Sequence, residues 1–186
     1  MKKTILVMLI GVLFCAGAVF AQGIPYVGDW EVFSDVNDGG DSTITMATSQ
    51  RDGMTAYRFT GNVTTKYQYG FVGWMISPNP ATLEALRTAR GISFKVLGDG
   101  KRYTVKYRIS NVRDHAHHEF HFDTVAGQVQ TVEVQMRMFQ QPAWGNSVGS
   151  LNAARMRNVQ DISFQTHEGW RPGSYDITVW DVRILQ

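Results

Sequence analysis

The chain has 186 residues, with eighteen Lys and Arg against sixteen Asp and Glu. The first 21 residues hold two of those basic residues and none of the acidic ones, which leaves sixteen against sixteen in the remainder. A neutral chain lacks the cationic excess that draws proteins to nucleic acid or anionic lipid regardless of sequence, and abundant glycine, threonine and aromatic residues point to a turn-rich β protein.

Residues 1–21, "MKKTILVMLIGVLFCAGAVFA", combine Lys2 and Lys3, an apolar run from Ile5 to Phe14, and small residues ending at Ala21. This is the three-part pattern of a signal peptide. The apolar run is shorter than the roughly 20 residues a bilayer-spanning helix needs. Cys15 follows bulky Phe14, where a lipid-attachment signal requires a small residue. The expectation is export to the periplasm or the cell exterior, cleavage after Ala21, and a mature chain with no transmembrane segment. Residues 22–186 would then form one domain without a cysteine, so no disulfide supports it and no thiol serves as nucleophile.

"WEVFS" opens the strand signals. The next stretch, "SDVNDGGDS", looks like a calcium loop, but in EF-hand spacing Gly39 falls where a ligand belongs and Met46 where the bidentate glutamate belongs. Two readings remain open: a tight Gly-Gly turn held by Asp side chains, and a structural calcium site taking oxygens from Asp35 and from Asp181 near the C-terminus. "STITMAT", "AYRFTGNV" and "YGFVGWMIS" are further strand candidates. "NPATLEALRTARG" reads as a short helix, with Pro80 near its start and Gly91 as a stop.

"GISFKVLGDGK" places Ile92, Phe94 and Val96 on one face and turns through Gly98-Asp99-Gly100 into "KRYTVKYRIS". There Tyr103, Val105, Tyr107 and Ile109 alternate with Thr104, Lys106, Arg108 and Ser110, a period of two. The pair is expected to form a hairpin.

"RDHAHHEFHF" holds four of the five histidines. With Phe120 and Phe122 toward the core, His115, His117, Glu119, His121 and Asp123 fall on the other face. An unbroken strand would separate His115 from His121 by roughly 20 Å, far beyond the reach of one ion with bonds near 2 Å. Three readings fit: a solvated or groove-lining face, a sugar contact, and a transition-metal site using His117 and His121.

"TVEVQMRMF" alternates Val132, Val134, Met136 and Met138 against polar residues, and "LNAARMRNV" reads as one or two helical turns. "DISFQTH" is a strand. "SYDITVWDVRIL" is apolar on both sides, which suggests a central strand covered on both faces. Trp144 in "QPAWGN" and Trp170 in "THEGWRPGS" lie among Pro and Gly, in loops where they are hard to bury. Tyr67, Tyr69 and Trp74 stand in "KYQYGFVGW". Flat rings with polar neighbours suit the faces and hydroxyls of a sugar. Eight or nine strands with short helices in the connections describe an all-β, two-sheet antiparallel sandwich of jelly-roll type. No G-x-S-x-G, H-E-x-x-H or phosphate-loop pattern occurs, so the expectation is a non-enzyme.

From about Trp30 to Leu185, the series "WEVFSDVNDGGDS", "YQYGFVGW", "GISFKVLGDGKRYTVKYRI", "VQTVEVQMRMF", "SLNAARMRNVQDISFQ" and "GSYDITVWDVRIL" resembles the complex I intermediate-associated protein family and the related family 11 carbohydrate-binding modules. The most specific part is Asp35, Gly39, Gly40 and Ser42. The resemblance implies a galactose-binding-like jelly roll without catalytic activity, β-glucan binding on one concave sheet, and often a structural calcium. It assigns the ligand-binding positions to Tyr67 or Tyr69, His121, Trp144 and His167, with Trp and His standing at the last two where the family has tyrosine. The alternative partner is a protein, for a structural module in a periplasmic or surface assembly. The Arg-rich, Ser-rich transit peptide of a mitochondrial protein is missing from residues 1–21.

Overall fold

The computed structural model describes residues 23–112, 115–144, 149–166 and 172–186. The expected leader, residues 1–21, lies outside the described residues, as do His167 and Trp170.

Eleven strands run in the order β1 (Ile24–Pro25), β2 (Gly28–Ser34), β3 (Thr43–Arg51), β4 (Met54–Val63), β5 (Val72–Pro78), β6 (Gly91–Leu97), β7 (Arg102–Ile109), β8 (His118–Asp123), β9 (Val129–Gln135), β10 (Val159–Thr166) and β11 (Gly173–Leu185). Among the described residues two short α-helices, α1 (Pro80–Arg87) and α2 (Ala153–Met156), lie in connections. The six-stranded sheet has the order β3-β4-β11-β6-β9, with β1 also on β11, and the five-stranded sheet the order β2-β5-β10-β7-β8. All pairings between these strands are antiparallel, so the expected all-β jelly-roll sandwich is the fold. Among the described residues no helix is long and apolar enough to cross a membrane.

The two inner faces meet in an aromatic stack. Trp74 of β5 lies between Phe59 of β4 at 4.3 Å and Phe164 of β10 at 5.7 Å, nearly parallel to both. Tyr103, Val105, Tyr107 and Ile109 of β7 all face this core, as their alternation requires. α1 starts as its sequence dictates: Asn79 Oδ1 accepts the Thr82 N–H at 2.8 Å, Pro80 follows at the first turn, and Leu86 is buried.

Three local expectations are corrected. β6 and β7 form no hairpin: β6 pairs with β11 and β9, and β7 pairs with β10 and β8. Gly98-Asp99-Gly100 therefore carries the chain from one sheet to the other. Asp99 stabilises the crossing, because its carboxylate accepts the Tyr103 hydroxyl at 3.0 Å and the Asp176 N–H of β11 at 3.1 Å. A Cβ at Gly98 would overlap Thr124, so only glycine fits that crossing.

β11 is central, but its apolar residues on both faces have another cause. A register shift between Trp180 and Arg183, with Asp181 at φ 51°, flips the alternation. Tyr175, Ile177 and Val179 face the core before the bulge, and Val182 and Ile184 face it after. Trp180 points outward and is covered by Arg51, whose guanidinium carbon sits 5.4 Å from the ring centroid. Finally, β9 stops at Gln135, and Met136–Met138 form a 3-10 turn. That turn lets the chain leave the six-stranded sheet, so that Gln140 can pair with Glu119 at the free edge of β8.

Candidate functional site

The outer face of the five-stranded sheet carries a set of polar side chains that the alternation turns away from the core. One row across it reads Glu31, Met75, Ser163, Lys106 and Glu119; the next reads Phe33, Gly73, Gln165, Thr104 and His121. Asp161 and Arg108 stand beside them in a third row. The face is recessed: Thr104, Ser163, Asp161, Lys106 and Glu119 are all buried although they point away from the core.

Such burial demands partners. Lys106 Nζ lies 3.3 Å from Glu119 Oε2. Arg108 lies 3.5 Å from Asp161 Oδ2, while Asp161 Oδ1 has no partner among the described residues. Burial outweighs Arg108 and pushes the Asp161 carboxyl up to about 6. Thr104 Oγ1 and His121 Nδ1 are hydrogen-bonded at 2.9 Å, and His121 Nε2 is 3.5 Å from Glu119 Oε1. Arg102 and Asp123 close one end of the face with a two-pronged pair at 2.7 and 2.8 Å.

An aromatic platform lies in the second row. Gly73 has no side chain, and the Phe33 ring occupies the space, so a Cβ at Gly73 would overlap the ring carbons. Phe71 flanks Phe33 at 6.2 Å. The result is a flat apolar surface beside hydroxyl, amide, imidazole and paired ionic groups. This surface can stack on the CH face of a sugar while its neighbours hold the hydroxyls.

The expected ligand residues are brought together in part. His121 is exposed on the second row. Tyr67 and Tyr69, with ring centroids 5.8 Å apart, stand in the loop that leads into Phe71, so they border the same end of the face. Tyr69 is 66% exposed. Trp144, exposed, lies near the opposite end, three residues beyond Gln141, whose side chain bonds the Ala116 carbonyl. His167 follows Thr166, the last residue of β10, and itself lies outside the described residues.

The metal expectations fare differently. Asp35 is fully buried; its oxygens accept from Ser42 N–H at 3.0 Å, Ser42 Oγ–H at 2.7 Å and Phe71 N–H at 3.3 Å. Asp181 is engaged by Arg183 at 2.6 Å and Lys95 at 3.9 Å. Through Ser42, Thr64 and Val63, Asp35 neighbours the Gly173 end of β11, eight residues or about 25 Å of strand from Asp181. The two carboxylates do not converge on one calcium, and the Gly-Gly turn held by Asp35 is the structure of this loop.

His117 lies in the turn before β8, where its Nδ1 accepts the Ile109 N–H at 3.3 Å. Burial, with Arg108 and Lys106 beside it, lowers its pKa to about 4. The strand rise puts His121 roughly 13 Å further on, so the pair cannot share an ion. Among the described residues no group of three or more His, Cys, Asp or Glu is arranged to hold a metal. His118 points inward, with Nε2 donating to the Gly149 carbonyl at 2.8 Å.

Sequence reasoning missed Phe33, Ser163, Gln165 and the three ion pairs. One signal was available for the first: a glycine inside a strand, Gly73 between Val72 and Trp74, marks a close approach by another group.

Comparison with known proteins agrees with this architecture. A family model described as complex I intermediate-associated protein 30 (CIA30) matches residues 20–179. No curated protein sequence matches. The fold is similar to the family 11 carbohydrate-binding module of the cellulosomal cellulase Lic26A-Cel5E of Clostridium thermocellum, with TM-score 0.61 and 17% identity, over 91% of this chain and 96% of that one. It is similar to a family 11 module from the same organism in complex with a β-1,3-1,4-mixed-linked tetrasaccharide, with TM-score 0.62 and 18% identity, over 89% and 97%. It is also similar to part of an exo-β-agarase, with TM-score 0.51 and 9% identity, over 88% of this chain and 25% of that one. At these identities the likeness is one of fold.

Proposed function

We propose, from the premise that this chain belongs to the complex I intermediate-associated protein 30 family, that it is an exported, non-catalytic module that binds a glycan on the outer face of its five-stranded sheet. The observation that carries the reading is the Phe33 platform over Gly73, set beside recessed Ser163 and Thr104, half-buried Gln165 and exposed His121. Tyr67 and Tyr69 at one end and Trp144 at the other extend the contact, and the resemblance adds His167 as a further ligand residue. The cations on the face, Arg102, Lys106 and Arg108, are each paired with a carboxylate, which suits a neutral sugar chain better than an acidic one. The tetrasaccharide held by a module of similar fold makes a β-glucan the first ligand to test.

A structural role in a periplasmic or surface assembly is the second reading. It is favoured by exposed Val32 and Met46 on the flank where β2 and β3 meet. Affinity electrophoresis against soluble glucans separates the two. Retardation that is lost in Phe33→Ala supports the glycan face, whereas unretarded migration with every glucan, together with co-purification of one protein partner, supports the assembly role.

A further inference from the structure

The four outermost strands of the two sheets are not equally protected. β2 carries Asp29 and Glu31, and β9 carries Glu133. β8 carries Glu119 and Asp123 and is closed further by Gln140. Charges and covers of this kind are how a sheet edge, with its row of unpaired backbone groups, is kept from joining another chain. β3 has neither. It is nine residues long, seven of them exposed, and uncharged from Thr43 to Gln50. Among the described residues only β4 pairs with it.

The β3 sequence is also complementary to itself. Laid antiparallel about a two-fold axis at Ala47, Thr45 faces Ser49, Met46 faces Thr48, Ile44 faces Gln50 and Thr43 faces Arg51 of the second copy. No like charges meet, small Ala47 sits on the axis, and Met46, 38% exposed, gains a neighbour. A two-fold interface must use the same patch on both chains, and pairing about Ala47 does so with no like charges opposed.

We propose that β3 is a homotypic docking edge, through which a second copy of this chain pairs antiparallel across Ala47 and joins the two six-stranded sheets into one. The dimer leaves both five-stranded sheets open, so two binding faces act together, and a ligand with repeated sites is held by avidity. The pairing itself does not depend on the ligand.

Sedimentation equilibrium of the chain tests it. The wild type shifts from one chain to two as concentration rises. Ala47→Lys, which sets two ammonium groups opposite each other on an exposed position, stays a single chain with an unchanged circular dichroism spectrum and melting midpoint. Ala47→Cys offers an independent reading: residues directly opposite in an antiparallel pair have Cα atoms about 4.5–5.5 Å apart, within disulfide range. Mild oxidation of Ala47→Cys therefore gives a covalent dimer, while Thr131→Cys on β9 does not. A wild type that remains a single chain throughout, an Ala47→Lys variant that still dimerises, or equal crosslinking at Thr131→Cys overturns the proposal.

Discussion

Phe33 and Gly73 face each other across the β2–β5 pair, and the ring of the first fills the space that a side chain on the second would take. Gly73→Ala must push Phe33 off the face. Overpacking of this kind costs about 1–3 kcal/mol, so the urea midpoint falls and glycan retardation weakens. Phe33→Ala removes the platform without the clash. It is expected to lose retardation at least about tenfold, or about 1.4 kcal/mol, with a smaller loss of stability.

Lys106 and Glu119 form an ion pair whose side chains are only 10% and 9% exposed. Removing one partner from such a pair leaves a buried charge uncompensated, at a cost of about 3–5 kcal/mol. Glu119→Gln should show a loss toward the lower end of that range in urea unfolding, since a polar neighbour remains. The double variant Lys106→Met/Glu119→Leu should regain most of it.

Stability should depend on pH through two groups that pull in opposite directions. His117, lowered from 6.5 to about 4, is held neutral by the fold, so its contribution falls as pH drops from 6.5 toward 4. Asp161, raised from 3.8 to about 6, binds its proton more tightly when folded, so its contribution is present at low pH and is lost as pH rises through 6. The wild type should therefore show a shallow profile across this interval. His117→Gln should make stability rise as pH falls through it, and Asp161→Asn should make it fall. Urea midpoints measured through the interval check both signs.

Asp35 holds its loop with three hydrogen bonds from the protein itself. Calcium chelation should leave the melting midpoint where it is. Asp35→Ala strands the buried Ser42 N–H and hydroxyl and the half-buried Phe71 N–H and should cost at least about 2 kcal/mol, since each buried unsatisfied group costs about 1–3.

The period-two patterns made the sandwich legible. β7 alone, with four apolar residues alternating against polar ones, fixes which of its faces is inside. Neighbouring strands were harder, because local pattern says nothing about which sheet a strand joins. The β6–β7 turn reads as a hairpin from its glycines, yet Asp99 ties it to β11 and sends the chain across the sandwich. The two-sided apolar pattern of β11 came from a bulge at Asp181 rather than from cover on both faces. In the site, His121 was legible from the histidine row, while Ser163 and Gln165 were not. Their neighbours come from β5 and β7, strands distant in sequence that only the register places alongside.

The most direct measurement is backbone amide NMR of the chain titrated with a β-1,3-1,4-mixed-linked glucan tetrasaccharide and with other soluble glycans. The account predicts saturable shifts at Gly73, Thr104, Ser163 and Gln165 for at least one of them, with Thr60, Thr178 and Thr131 on the six-stranded sheet unmoved. Shifts confined to the six-stranded sheet, or none with any glycan, would contradict it.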